Sequence, residues 1–205
     1  RVAAGDVITG VETVTGTLAN AVTRPTMTLT FATIPDSYTP RITRTAGSPL
    51  VGPVDDAANG TAILQLSATN EINVAAIDWA DQVIIDPTKE PIFSCRLKVS
   101  GVAAATRMIF GVATAYNATF DSVDEMAWFR LEGNSLALVV EADDATTNTD
   151  DQSTGRTLTA DTYYRFGIDM TDLTSVKFYI DGAYAGAVSV PLLSASTPLQ
   201  PAFGL

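Results

Sequence analysis

The sequence has no histidine and a single cysteine among its 205 residues. The first absence removes Ser-His-Asp and Cys-His catalysis, imidazole metal ligation and a histidine pH switch, and leaves only chemistry that carboxylates can carry. The second forbids an intramolecular disulfide and a thiolate metal cluster, so the framework of a small disulfide-rich secreted domain is missing and the compartment stays open. Basic residues are scarce as well, with 12 Lys and Arg against 23 Asp and Glu and a net charge of -11. Such a field repels phosphate backbones and anionic membranes, so neither nucleic acid nor a membrane is an expected partner. The longest uncharged run, residues 182–205, carries three prolines with Ser, Thr and Gln and could not satisfy its backbone in lipid. The opening residues, from Arg1 to Asp6, have neither the apolar core of a signal peptide nor an initiator Met, as expected of a trimmed or processed N-terminus.

What is present is apolar for so acidic a chain: mean hydropathy is +0.19, 46% of residues are hydrophobic and only 17% are charged. That pairing fits either surface buried in an assembly or an Ala-, Val- and Thr-rich monomeric β protein. Charge is uneven along the chain, at +1 for residues 1–50 and -12 for residues 51–205. The shift coincides with a Gly- and Pro-punctuated stretch, residues 47–56, which sets the expected boundary between an N-terminal β extension or docking arm (1–55) and a main domain (56–205).

Period-2 alternation dominates the second part, as it must in strands with one buried face. Residues 93–100 are the cleanest case, with Phe93, Cys95, Leu97 and Val99 inward and Arg96 and Lys98 outward. Cys95 is therefore expected to be a buried structural thiol. Further strands are predicted at 63–66, 72–79, 108–114, 126–131, 136–141, 163–170, 176–180 and 184–190, and N-terminal alternation at 7–14 and 26–31 suggests β structure there too. Two turns, Glu132-Gly133-Asn134-Ser135 and Asp181-Gly182, read as hairpins through residues that tolerate positive φ. Helical periodicity is absent. The expected fold is an all-β antiparallel two-sheet sandwich of jelly-roll type.

The stretch from Tyr163 to Met170, followed by Val176-Lys177-Phe178-Tyr179-Ile180-Asp181-Gly182, resembles the late strands of concanavalin A-like and laminin-G-like jelly rolls. Together with residues 110–113, 127–133 and 140–144, it resembles virion-associated proteins of tailed bacteriophages across residues 60–190. The resemblance implies a capsid decoration or structural module without enzymatic activity. It also implies localisation at the virion capsid surface, with the major capsid protein and neighbouring copies as partners in a homo-oligomer; the competing reading is a carbohydrate-binding, lectin-like module, free or virion-displayed, that uses the same fold to hold a glycan.

No catalytic, cofactor or metal residues are assigned. The acidic run 141–151 offers oxygen ligands for calcium but lacks the spaced D-x-D-x-D-G pattern and a distal bidentate Glu, and is expected to be a solvated loop. The E-x-D-x-x-E string of jelly-roll glycosidases does not occur, and Asp121, Asp124 and Glu125, the nearest approach to it, lie in a turn-like segment. Trp79, Trp128, Tyr116, Tyr163 and Tyr184 are the aromatic candidates for stacking on sugar. Trp128 and Phe129 must point to opposite faces of their strand, one into the core and the other partly exposed. The sequons at Asn59 and Asn117 are treated as chance matches.

Overall fold

The computed structural model describes residues 26–30, 40–44, 50–53, 61–66, 74–80, 84–188 and 197–205. Among these are fourteen strands: β1 (Thr26–Thr30), β2 (Arg41–Arg44), β3 (Leu50–Pro53), β4 (Thr61–Gln65), β5 (Ala75–Asp78), β6 (Ile92–Val99), β7 (Arg107–Ala113), β8 (Glu125–Glu132), β9 (Ala137–Asp144), β10 (Asn148–Thr157), β11 (Tyr164–Asp169), β12 (Val176–Ile180), β13 (Ala183–Val188) and β14 (Gln200–Gly204). The only helical residues described are two 3-10 turns, Pro87–Lys89 and Phe120–Ser122. No described helix is long and apolar enough to cross a membrane.

The strands form two seven-stranded antiparallel sheets, ordered β13-β12-β11-β6-β1-β4-β3 and β10-β9-β8-β7-β14-β5-β2. The fold is thus the expected antiparallel two-sheet jelly-roll sandwich. Alternation explains its core: in β12, Val176, Phe178 and Ile180 face inward while Lys177 and Tyr179 face out. Phe110 and Phe129 from the second sheet meet Phe166 and Phe178 from the first, with ring centroids 4.7 to 5.2 Å apart. Edge-to-face contacts of this kind favour the aromatic quadrupoles and fix how the sheets interlock. Leu97 and Val99 are buried, and Phe93 and Cys95 pack against the core from the more open end of β6. Burial holds the Cys95 thiol protonated by pushing its pKa up. Both predicted hairpins close through left-handed residues, Gly133 and Asn134 at φ 66° and 61°, and Asp181 and Gly182 at 50° and 78°.

Three expectations change. The sheets do not divide at residue 55, since β1 pairs with both β4 and β6 inside the first sheet while β2 and β3 form edges. Leu50–Pro53, within the stretch expected to be a turn-rich boundary, is one of those edge strands. The alternation at 7–14 lies outside the described residues. Finally, the acidic run 141–151 is not a solvated loop: β9 continues to Asp144, turns, and returns as β10.

Candidate functional site

The outward face of the second sheet is covered by the chain between β7 and β8. Phe120 and Val123 from that segment pack with Ile109, Met126, Trp128 and Ala202 in a second apolar cluster. The floor beneath is made flat by glycine: a Cβ on Gly204 would lie 2.8 Å from the Phe120 ring, and one on Gly111 would lie 2.6 Å from Trp128 Cα. Trp128 and Phe129 do face opposite ways, yet both are buried, Trp128 at 1% exposure because the segment lies over it.

Under this cover sits an ionic cluster. Arg130 Nη1 donates to Glu141 Oε1 at 2.6 Å and to Asp121 Oδ1 at 3.0 Å, and Nη2 donates to Glu132 Oε2 at 2.6 Å. Arg107 donates to Asp121 Oδ2 at 2.7 Å from the exposed side. Trp128 Nε1 donates to the other oxygen of Glu141 at 2.7 Å. Burial lowers the pKa of the Arg130 guanidinium, but Glu141, Glu132 and Asp121 outweigh it and the net shift is upward. Glu141 is pushed up to about 7, chiefly by burial, with Asp151 adding in the same direction against the donors Trp128 and Arg130. Sequence reasoning missed this cluster, although Trp128 and Glu141 are directly opposed in the β8–β9 register. The signal was an arginine two residues from a tryptophan within the apolar run between Glu125 and Glu132.

Asp121, Asp124 and Glu125 are not brought together. Asp121 ties its segment to Arg107 and Arg130, Asp124 is exposed, and Glu125 is buried and accepts from Thr197 Oγ1 at 2.8 Å. The turn carboxylates of the acidic run are engaged locally: Asp143 accepts from the Ala145 amide, and Asp144 accepts from the Thr146 hydroxyl and the Thr146 and Thr147 amides. Among the described residues, no three His, Cys, Asp or Glu side chains are grouped as a metal site. Asn117 accepts from the Thr119 amide, and Asn59 lies outside the described residues.

Of the aromatic candidates, Trp79 and Trp128 are core residues and Tyr116 is half-buried, its hydroxyl held protonated by burial and by Asp78. Tyr163 and Tyr184 are on the outward face of the first sheet, where, among the described residues, Ser94, Arg96, Arg165 and Tyr184 are exposed. There the Arg96 guanidinium lies 4.2 Å from the Tyr163 ring centroid and Lys98 Nζ lies 5.5 Å from it. Further along, Tyr179 and Tyr184 meet edge to face at 6.0 Å, and Gly167 stands between Ser94 and Tyr179 in register. Tyr184 is 58% exposed. Tyr163, immediately before β11, and Gly167 within it are four residues apart, about 13 Å of extended chain, so the strip suits an extended ligand better than a single ring.

No protein-family model matches the chain, and no curated protein sequence matches it. It is similar in structure to a carbohydrate esterase from the Shiga toxin-encoding bacteriophage phi24B, at 14% identity and TM-score 0.46, over 79% of this chain and 81% of that one. It is also similar to a native glycosidic hydrolase, at 9% identity and TM-score 0.45, over 91% and 84% of the two chains. A Bacillus licheniformis beta-glucanase is similar at 10% identity and TM-score 0.42, over 64% of this chain and 56% of the glucanase. The two-sheet antiparallel jelly-roll sandwich rests on the chain's own strand order. The expectation that it lacks enzymatic activity is corrected by these findings, because the structures it is similar to are an esterase and glycosidases. At such identities the likeness bears on the fold and assigns no activity.

Proposed function

We propose that this chain is a carbohydrate-binding jelly roll displayed on a bacteriophage virion, with the outward face of its first sheet as the binding surface. One observation carries the reading: Tyr163, Tyr179 and Tyr184 line a single strip with Arg96 and Lys98, whereas the tryptophans are buried. Tyrosines present an apolar ring and a polar tip, which suits a sugar's apolar face and hydroxyl rim. The virion setting rests on the resemblance of residues 60–190 to phage virion proteins. In that setting the module decorates the capsid exterior, against the major capsid protein and neighbouring copies of itself.

Two measurements test the reading. On a glycan array the chain retains one sugar class saturably, and Tyr184→Ala, an exposed change that leaves folding intact, removes the binding. Mass spectrometry of purified particles identifies the chain among virion proteins. Absence of glycan binding sinks the first part, and absence from particles sinks the second.

A further inference from the structure

The outward face of the first sheet also carries a charge pattern that stability does not explain. Arg96, Lys98, Arg165 and Lys177 all project from it, four of the twelve Lys and Arg in the chain. Among the described residues, Arg96, Lys98 and Arg165 make no ion pair, and Lys177 stands opposite Asp169 and acts on Asp172, whereas Arg41, Arg107 and Arg130 on the second sheet are all directly paired. Arg96 and Arg165 are directly opposed in the β6–β11 register, a like-charge pair that destabilises a sheet. Of the nearby acids, Asp181 accepts from the Arg165 backbone amide and Asp169 from the Thr171 amide, and neither makes an ion pair with Arg96 or Arg165. In a chain with almost twice as many acids as bases, three bases without an ion pair on one face, Arg96, Lys98 and Arg165, are the feature least expected from composition.

We infer that the ligand of this face is an anionic polysaccharide, carboxylated or sulfated, whose charges fall on Arg96 and Arg165 while its rings lie along Tyr163, Tyr179 and Tyr184. The inference rests on the carbohydrate reading above and narrows it. Forked guanidinium donors match carboxylate and sulfate oxygens, and the desolvating tyrosines strengthen each such contact. Nucleic acid is also a polyanion and meets the same net charge of -11 beyond the strip, so an oligonucleotide is included in the test below.

The full chain is passed over immobilised polygalacturonate, dextran sulfate, neutral dextran and a single-stranded oligonucleotide, with polygalacturonate and dextran sulfate separating carboxylate from sulfate recognition. Retention on at least one charged polysaccharide and not on dextran is expected, weakening as salt rises from about 0.05 to 0.5 M. The double variant Arg96→Gln, Arg165→Gln should bind about tenfold more weakly or worse. Arg156→Gln, an exposed base on β10, should bind as wild type. A merely structural role predicts that the double variant melts earlier; relief of like-charge repulsion predicts an equal or higher Tm. Equal retention on dextran overturns the anionic ligand while leaving the carbohydrate reading intact, and retention on no polysaccharide overturns both. Equal loss in Arg156→Gln, equal affinity for the oligonucleotide, or self-association abolished by the double variant without polysaccharide binding would each overturn the inference.

Discussion

Glu141 makes the stability of this fold depend on pH in a direction opposite to that of most carboxylates. Burial raises its pKa from 4.5 to about 7. Between those values the folded chain holds a proton that the unfolded chain has released, so stability from this group is fully present below about pH 4.5 and is lost as pH rises through 7. The interval corresponds to about 3 kcal/mol, a sizeable part of the net stability of a domain. Asp143, also raised by burial, acts in the same direction, while Asp86, Asp144 and Asp172, lowered by threonine hydroxyl donors, titrate below this window. Urea denaturation at half-unit steps from pH 5 to 8 reads the effect. Wild type should lose stability across that range, and Glu141→Gln should flatten the profile whatever its absolute stability, since the amide cannot accept from both Arg130 and Trp128. Asp151→Asn, which removes one cause of the upward shift, should move the wild-type profile to lower pH. Parallel profiles for wild type and Glu141→Gln would refute the argument that burial outweighs Arg130 at this carboxylate.

Phe178→Ala removes a fully buried ring packed edge-on against Phe129 and should cost about 3 to 5 kcal/mol, while Lys98→Ala on the outer face should cost less than about 0.5, ranked by chemical denaturation. Gly111→Ala drives a Cβ into the β8 backbone and should lower Tm sharply, whereas Gly167→Ala meets Tyr179 Cβ at an ordinary 3.6 Å and should leave Tm nearly unchanged. Deleting residues 1–50 removes β1 from between β4 and β6, so the truncated chain should lose cooperative unfolding; a cooperative, soluble product would favour a separable arm.

The sequence was most readable where a strand has one apolar face. β6 and β12 match their predicted positions to within about two residues because alternation there is uninterrupted, and β7 and β8 do so as short apolar runs buried on both faces. β10 escaped notice because Asn148–Thr157 is polar throughout: it is an exposed edge strand with register shifts, and left-handed Asp151 and Gly155 bend it. β14 was hidden by Pro201, and β3 by the Gly and Pro that suggested a boundary. The opposed faces of Trp128 and Phe129 follow from period 2, but the burial of Trp128 depends on a covering segment that only tertiary packing places there. The candidate surface divides in the same way. Arg96 and Lys98 were legible as outward residues of β6, while their meeting with Tyr163 and Arg165 needs the pairing of β6 with a strand far along the chain.

Hydrogen–deuterium exchange of the full chain, with and without a saturating polysaccharide selected on the array, tests the location of the binding surface most directly. The account predicts slowed exchange in β6, β11, β12 and β13, centred on residues 94–98 and 163–167, with the second sheet unchanged. Slowing confined to the shallow depression at Ala104, Arg107 and Glu132, or to the covering segment around Asp121, would contradict it and move the site to the opposite sheet.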